Sequence, residues 1–103
     1  MDKNERLALL LAQQSATDPG QVQTVLHYLY FKDKKSARQA ETLIRELRFQ
    51  VEMRRAADDS SWLVLVSQSM VPSEAAVGAA HAVLEDIAGE CEGEYDGWEI
   101  EVE

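Results

Sequence analysis

The chain has 103 residues, 46% of them hydrophobic, and a formal net charge of −9; such a length makes one domain that buries roughly 60–70% of its unfolded surface. No apolar run approaches the ~20 residues of a membrane span, and the lone Cys91 excludes an internal disulfide and fits a reducing cytoplasm. The charge is segregated: the first 55 residues hold ten bases and seven acids, whereas residues 56–103 hold twelve acids and no Lys or Arg, a half that repels nucleic acid and attracts a basic partner.

In chain order, Leu7, Leu10 and Leu11 at i, i+3 and i+4, behind Asp2 and Glu5, predict an amphipathic helix over residues 3–15. Its mixed charges and short apolar run do not make a signal peptide. Thr17-Asp18-Pro19-Gly20 ends it as a linker, so residues 1–20 form an arm and 21–103 the core of a single domain. From Val22 to Phe31 β-branched and aromatic residues dominate. Leu26, Tyr28 and Tyr30 point one way, and Val25, His27, Leu29 and Phe31 the other. Both faces are apolar, as in a strand inside a sheet.

Asp33 is placed to cap a helix whose stripe is Ala37, Ala40, Ile44 and Leu47. Phe49-Gln50-Val51-Glu52-Met53-Arg54 alternates as a half-exposed strand. Asp58-Asp59-Ser60-Ser61 is a turn, and Trp62-Leu63-Val64-Leu65-Val66 is a second strand apolar on both faces. Pro72-Ser73-Glu74 starts a helix with the stripe Val77, Ala80, Leu84, Ile87 and Cys91, and Gly93 is the expected left-handed residue after it. Asp96-Gly97 reads as a tight turn. Trp98, Ile100 and Val102 then alternate with Glu99, Glu101 and Glu103 as the final strand.

This order predicts an α+β fold, a ferredoxin-like βαββαβ sandwich with antiparallel sheet order 4-1-3-2 and an extra N-terminal helix. The patterning agrees independently, because the strands apolar on both faces are those the topology puts in the middle. Two helices cover one face of such a sheet. The other face needs cover, and the helix carrying Leu7, Leu10 and Leu11 is the available lid, within one chain or across a dimer.

The residues offer no catalytic constellation, so no enzymatic activity and no cofactor are expected. His27 and His81 lack Cys or His neighbours at zinc-ligand spacing, and the scattered glycines build no phosphate loop. Cys91 lies between Glu90 and Glu92, which oppose thiolate formation. His27 reads as a hydrogen-bonded packing residue, and Trp98 as a core anchor. Tyr28, Tyr30 and Phe31 invite comparison with RNA-recognition domains of the same topology. The strand at 62–66 lacks their basic-Gly-aromatic motif, and the net charge opposes phosphate binding. No direct nucleic-acid contact is expected.

Glu94-Tyr95-Asp96-Gly97-Trp98 is similar to the final-strand motif of the bacterial regulator of ribonuclease E activity B family. Thr24-Val25-Leu26-His27-Tyr28-Leu29 resembles that family's first-strand run. Leu47-Arg48-Phe49-Gln50-Val51 resembles its helix exit, with Arg48 where Gly is frequent. The resemblance implies a cytoplasmic protein that binds and inhibits ribonuclease E and so modulates RNA turnover, with His27, Tyr95, Gly97 and Trp98 as motif positions. It also supplies a partner, because ribonuclease E has a long disordered region with basic stretches. The acids Glu85, Asp86, Glu90, Glu92, Glu94 and Asp96 are then the expected docking surface for an arginine-rich segment, since guanidinium pairs bidentately with carboxylate. The alternative, from a different class, is a dimeric ferredoxin-like domain that binds a small ligand on its sheet or at its interface. Monomer and homodimer both stay open.

Overall fold

The computed structural model describes residues 22–57 and 60–101. The expected N-terminal helix and linker, and residues 58–59 of the expected turn, lie outside them. The described chain runs β1 (Gln23–Phe31), α1 (Lys34–Glu46), β2 (Gln50–Arg55), β3 (Trp62–Met70), α2 (Glu74–Glu90) and β4 (Glu94–Ile100). The strands form one antiparallel sheet in the order β2-β3-β1-β4, which is the ferredoxin-like order.

The central pair is β1 with β3, in register from Gln23↔Met70 to Phe31↔Trp62. Along β1 the residues Val25, His27, Leu29 and Phe31 are buried beneath the helices, while Leu26, Tyr28 and Tyr30 are half-buried on the other face. The strand β3 continues four residues past the expected end at Val66, because Ser67, Gln68, Ser69 and Met70 find partners along the start of β1. Hydrogen-bond demand there outweighs the missing apolar signal. The core joins Leu29, Phe31, Val64 and Val66 of the sheet to Ile44 of α1 and Leu84 and Ile87 of α2. A smaller cluster holds Val25 and Val77, with Met70 and Trp98 packed against it.

Both helices begin on their expected caps. The Asp33 carboxylate accepts from the Ser36 N–H at 2.7 Å, and the Ser73 hydroxyl oxygen from the Ala76 N–H at 3.1 Å. All five residues of the α2 stripe are buried, as are Ala37, Ala40 and Ile44 of α1. Leu47 is 51% exposed, because it is the C-cap of α1 and has left the helical stripe.

The helix ends correct the expectation for Gly93. After α2 the Gly93 N–H donates to Ala88 O at 2.7 Å and the Glu92 N–H to Gly89 O at 3.3 Å, the paired bonds of a Schellman motif. Its left-handed residue is Glu92, with φ 60°, and α1 ends likewise on Arg48, with φ 70°. Arg48→Gly is expected to raise stability by about 1 kcal/mol, relieving the Cβ penalty of that conformation. A higher urea midpoint with an unchanged slope would show it; a lower midpoint would contradict it. Gly93 is required for space instead: a Cβ there would lie 2.2 Å from the Phe31 ring and 2.8 Å from the Tyr30 carbonyl oxygen. Gly93→Ala should cost about 2 kcal/mol, as overpacking against fixed atoms does. An unaltered melting temperature would refute the clash.

Asp96-Gly97 is also corrected. It is not a turn ahead of the last strand but a bulge within β4, which already starts at Glu94. Trp98 pairs with His27 and Tyr95 with Leu29, so Asp96 and Gly97 together oppose Tyr28. Gly97 adopts φ 114°, which a residue with a side chain resists. In a regular strand Tyr95 and Trp98 would face opposite sides; the bulge turns both toward the helices.

Candidate functional site

His27 is fully buried on the helix-facing side of β1, and its Nδ1 lies 2.7 Å from the Tyr95 hydroxyl. Burial, and then the nearby His81, lowers its pKa to about 4, so the ring is neutral at physiological pH. The Tyr95 ring stacks on His81, with centroids 4.4 Å apart and planes at 15°. His81 Nε2 in turn meets a Glu85 carboxylate oxygen at 2.8 Å, one helical turn away. A chain of contacts therefore runs from the core through His27, Tyr95 and His81 to an acid on the outer face of α2. From the sequence His81 is assigned no role beyond lacking zinc-ligand neighbours. Its i,i+4 spacing to Glu85 was the local signal for the contact, but the Tyr95 stack depends on the β4 bulge.

Trp98 is half-buried, opposite His27, with its Nε1 enclosed and without a partner among the described residues. Gly97 has no heavy atom within 4 Å of the place a Cβ would take, so its role is conformational. Cys91 is buried, and burial together with Glu90 raises its thiol pKa. That keeps the sulfur protonated and unreactive. Among the described residues no group of three His, Cys, Asp or Glu could hold a metal ion, and no helix is long and apolar enough to cross a membrane.

The six acids expected to form one docking surface fall into two neighbouring patches. Glu85, Asp86 and Glu90 are exposed and line, with Ala82 and Gly89, a shallow groove of about 470 Å³ on α2. Glu92, Glu94 and Asp96 line a larger cleft of about 690 Å³, where the end of β1, the end of β2 and the start of β4 converge. Glu90 and Glu92 also stand at the C-terminal end of α2, where the helix dipole disfavours a carboxylate by a few tenths of a kcal/mol and favours a cation. Glu99 is elsewhere, on the sheet face opposite the helices, accepting a hydrogen bond from the Tyr28 hydroxyl that pushes the phenol pKa up to about 12.

A family model described as regulator of ribonuclease activity B matches residues 2–100, nearly the whole chain. The chain belongs to that family. A search of curated proteins finds no match. For a regulator of ribonuclease activity B the relevant question is which surface meets a protein target, and the described residues show acids gathered at one side of the fold. The β4 edge and α2 carry carboxylates and no Lys or Arg, while β2 at the far edge carries Arg54 and Arg55. As a member of that family the chain regulates a ribonuclease and, through it, RNA degradation.

Proposed function

We propose that this regulator is non-catalytic and docks a basic, arginine-rich segment of a ribonuclease such as ribonuclease E against the acidic edge built by α2 and β4. The observation that carries this reading is the charge sign: from α2 onward every acidic or basic side chain other than His81 is a carboxylate. A like-charged surface is tolerated because salt screens it over ~8 Å. It becomes favourable when guanidinium groups arrive, each pairing with carboxylate through two hydrogen bonds. The helix end strengthens the argument, since Glu90 and Glu92 sit where a cation is welcome and a carboxylate is not.

The test is a stopped-flow titration with a peptide from a basic disordered stretch of the ribonuclease. The association rate should fall steeply as salt rises from about 50 to 300 mM, the mark of electrostatic steering. Glu85→Lys with Glu90→Lys should weaken affinity about tenfold or more while circular dichroism stays unchanged. Binding that ignores salt, or a double variant that binds normally, would make the acids a solubilising surface only. The cleft volume favours a second reading, a small-ligand site. A metabolite that shifts the Phe31 and Gly93 amides without competing with the peptide would support it.

A further inference from the structure

We propose that the cleft where β1, β2 and β4 converge is an anchor pocket for a single arginine side chain of the partner protein. The inference rests on the basic-target reading above and deepens it, because it names one pocket and one side-chain type. At about 690 Å³ the cleft is far too large for a bare ion and has the size of sites that enclose an organic group. Its lining divides by chemistry. The half-buried Tyr30 supplies an aromatic surface above the buried Phe31 and Ala56, while the exposed Glu92, Glu94 and Asp96 supply three carboxylates. Among the described residues Lys32 is the one cation in the lining, against three carboxylates.

None of the three carboxylates has an ion pair among the described residues. They belong to the chain that leaves α2 and opens β4, so the negative end of a 17-residue helix dipole adds to their field. An anionic ligand is thereby disfavoured and a cation drawn in. The accessible Tyr30 ring selects among cations. A guanidinium is flat, weakly hydrated and able to lie on an aromatic face while its edge pairs with carboxylate. A lysine ammonium is compact and more strongly hydrated, so it gains less there. The methylene stem of an arginine would rest on the apolar part of the lining. The cleft is also the more sheltered of the two acidic patches, because three separate segments wall it, whereas the groove on α2 is a depression in one helix.

The experiment uses the full chain and two synthetic peptides, one of Arg-Gly-Ser repeats and one in which every arginine is replaced by lysine. Affinities are measured by calorimetry, and the contact surface by amide shifts in heteronuclear NMR spectra. The arginine peptide should bind at least tenfold tighter than the lysine peptide and move the amides of Phe31, Ala56 and Gly93. Glu94→Gln with Asp96→Asn should abolish that preference. Ala57→Phe, at an exposed position in the cleft wall, fills the space without altering charge. It should cost the arginine peptide about tenfold, with the spectrum otherwise that of the wild type. If the arginine peptide binds but Ala57→Phe and the cleft double variant are neutral while Glu85→Lys with Glu90→Lys is not, the cleft is overturned and the acidic-edge reading survives. If neither peptide binds even at about 20 mM salt, where charge attraction is strongest, both readings fall.

Discussion

Trp98→Ala is expected to lower the unfolding free energy by roughly 3–5 kcal/mol, the usual range for truncating a packed aromatic. Trp98 stands on the helix-facing side of β4, opposite His27, and packs with Met70 against Val25 and Val77. Among the described residues that cluster is separate from the main core. Half-burial places the loss toward the lower end of the range. Trp98→Phe is the informative companion. It keeps an aromatic ring and removes an enclosed Nε1–H that has no partner among the described residues, so it should stay within about 1 kcal/mol of the wild type. Urea unfolding of the three proteins decides the matter. If Trp98→Ala keeps full stability yet loses the ribonuclease segment, Trp98 is a contact residue and the anchor reading is wrong.

Lowering the pH from 6.5 to 4 should remove up to about 3 kcal/mol of stability through His27 alone. The sign follows from which state holds the proton. In the folded protein burial keeps the ring neutral down to about pH 4, whereas the unfolded chain protonates near 6.5. Between those values the unfolded state binds the proton and the folded state does not, so stability falls as pH falls. Above 6.5 the contribution is complete, and below 4 both forms are charged and nothing further is lost. Carboxylates titrate in part of the same window, so the measurement is a difference. Unfolding free energies of the wild type and His27→Leu are followed at pH 7, 5.5 and 4.5. The variant starts lower, having lost the Tyr95 bond, but should lose less with acid. Parallel curves would show that His27 is not held neutral by its surroundings.

The strand order was legible because the sequence distinguishes strands wet on one face from strands dry on both. β1 and β3 show the second pattern and occupy the centre, while Val51 and Met53 alternate with Gln50 and Glu52 at the β2 edge. The helix starts were legible for a local reason: Asp33 and Ser73 bond N–H groups only three residues away. Features set by distant partners were not. An Asp-Gly pair suits a turn or a bulge equally, and only the pairing of Tyr95 with Leu29 and Trp98 with His27 decides between them. Gly93 is fixed by the Phe31 ring, which no nearby residue announces. The left-handed conformations fall on Arg48 and Glu92, whose side chains give no hint of them. For the candidate site, the sequence supplied the acids but not their division. Helical spacing keeps Glu85, Asp86 and Glu90 on α2, whereas the reversal after Glu92 carries Glu94 and Asp96 to the cleft. Its other walls come from β1 and from the end of β2, and no short motif connects those segments.

The bulge in β4 has a consequence for how copies of the protein tolerate one another at high concentration. A strand one residue shorter between Tyr95 and Trp98 would keep both rings on the core side with an unbroken ladder, so core packing alone does not call for the extra residue. Such a strand would present a flat, unpaired row of backbone groups at the margin of the sheet, the template on which fibres grow. Gly97 spoils that template by coiling the margin locally, and Glu94 and Glu99 on the same strand repel an identical strand approaching it. Deleting Gly97 could thus spare the fold while making the protein prone to polymerise, a defect that light scattering of concentrated samples would register and a melting curve would miss.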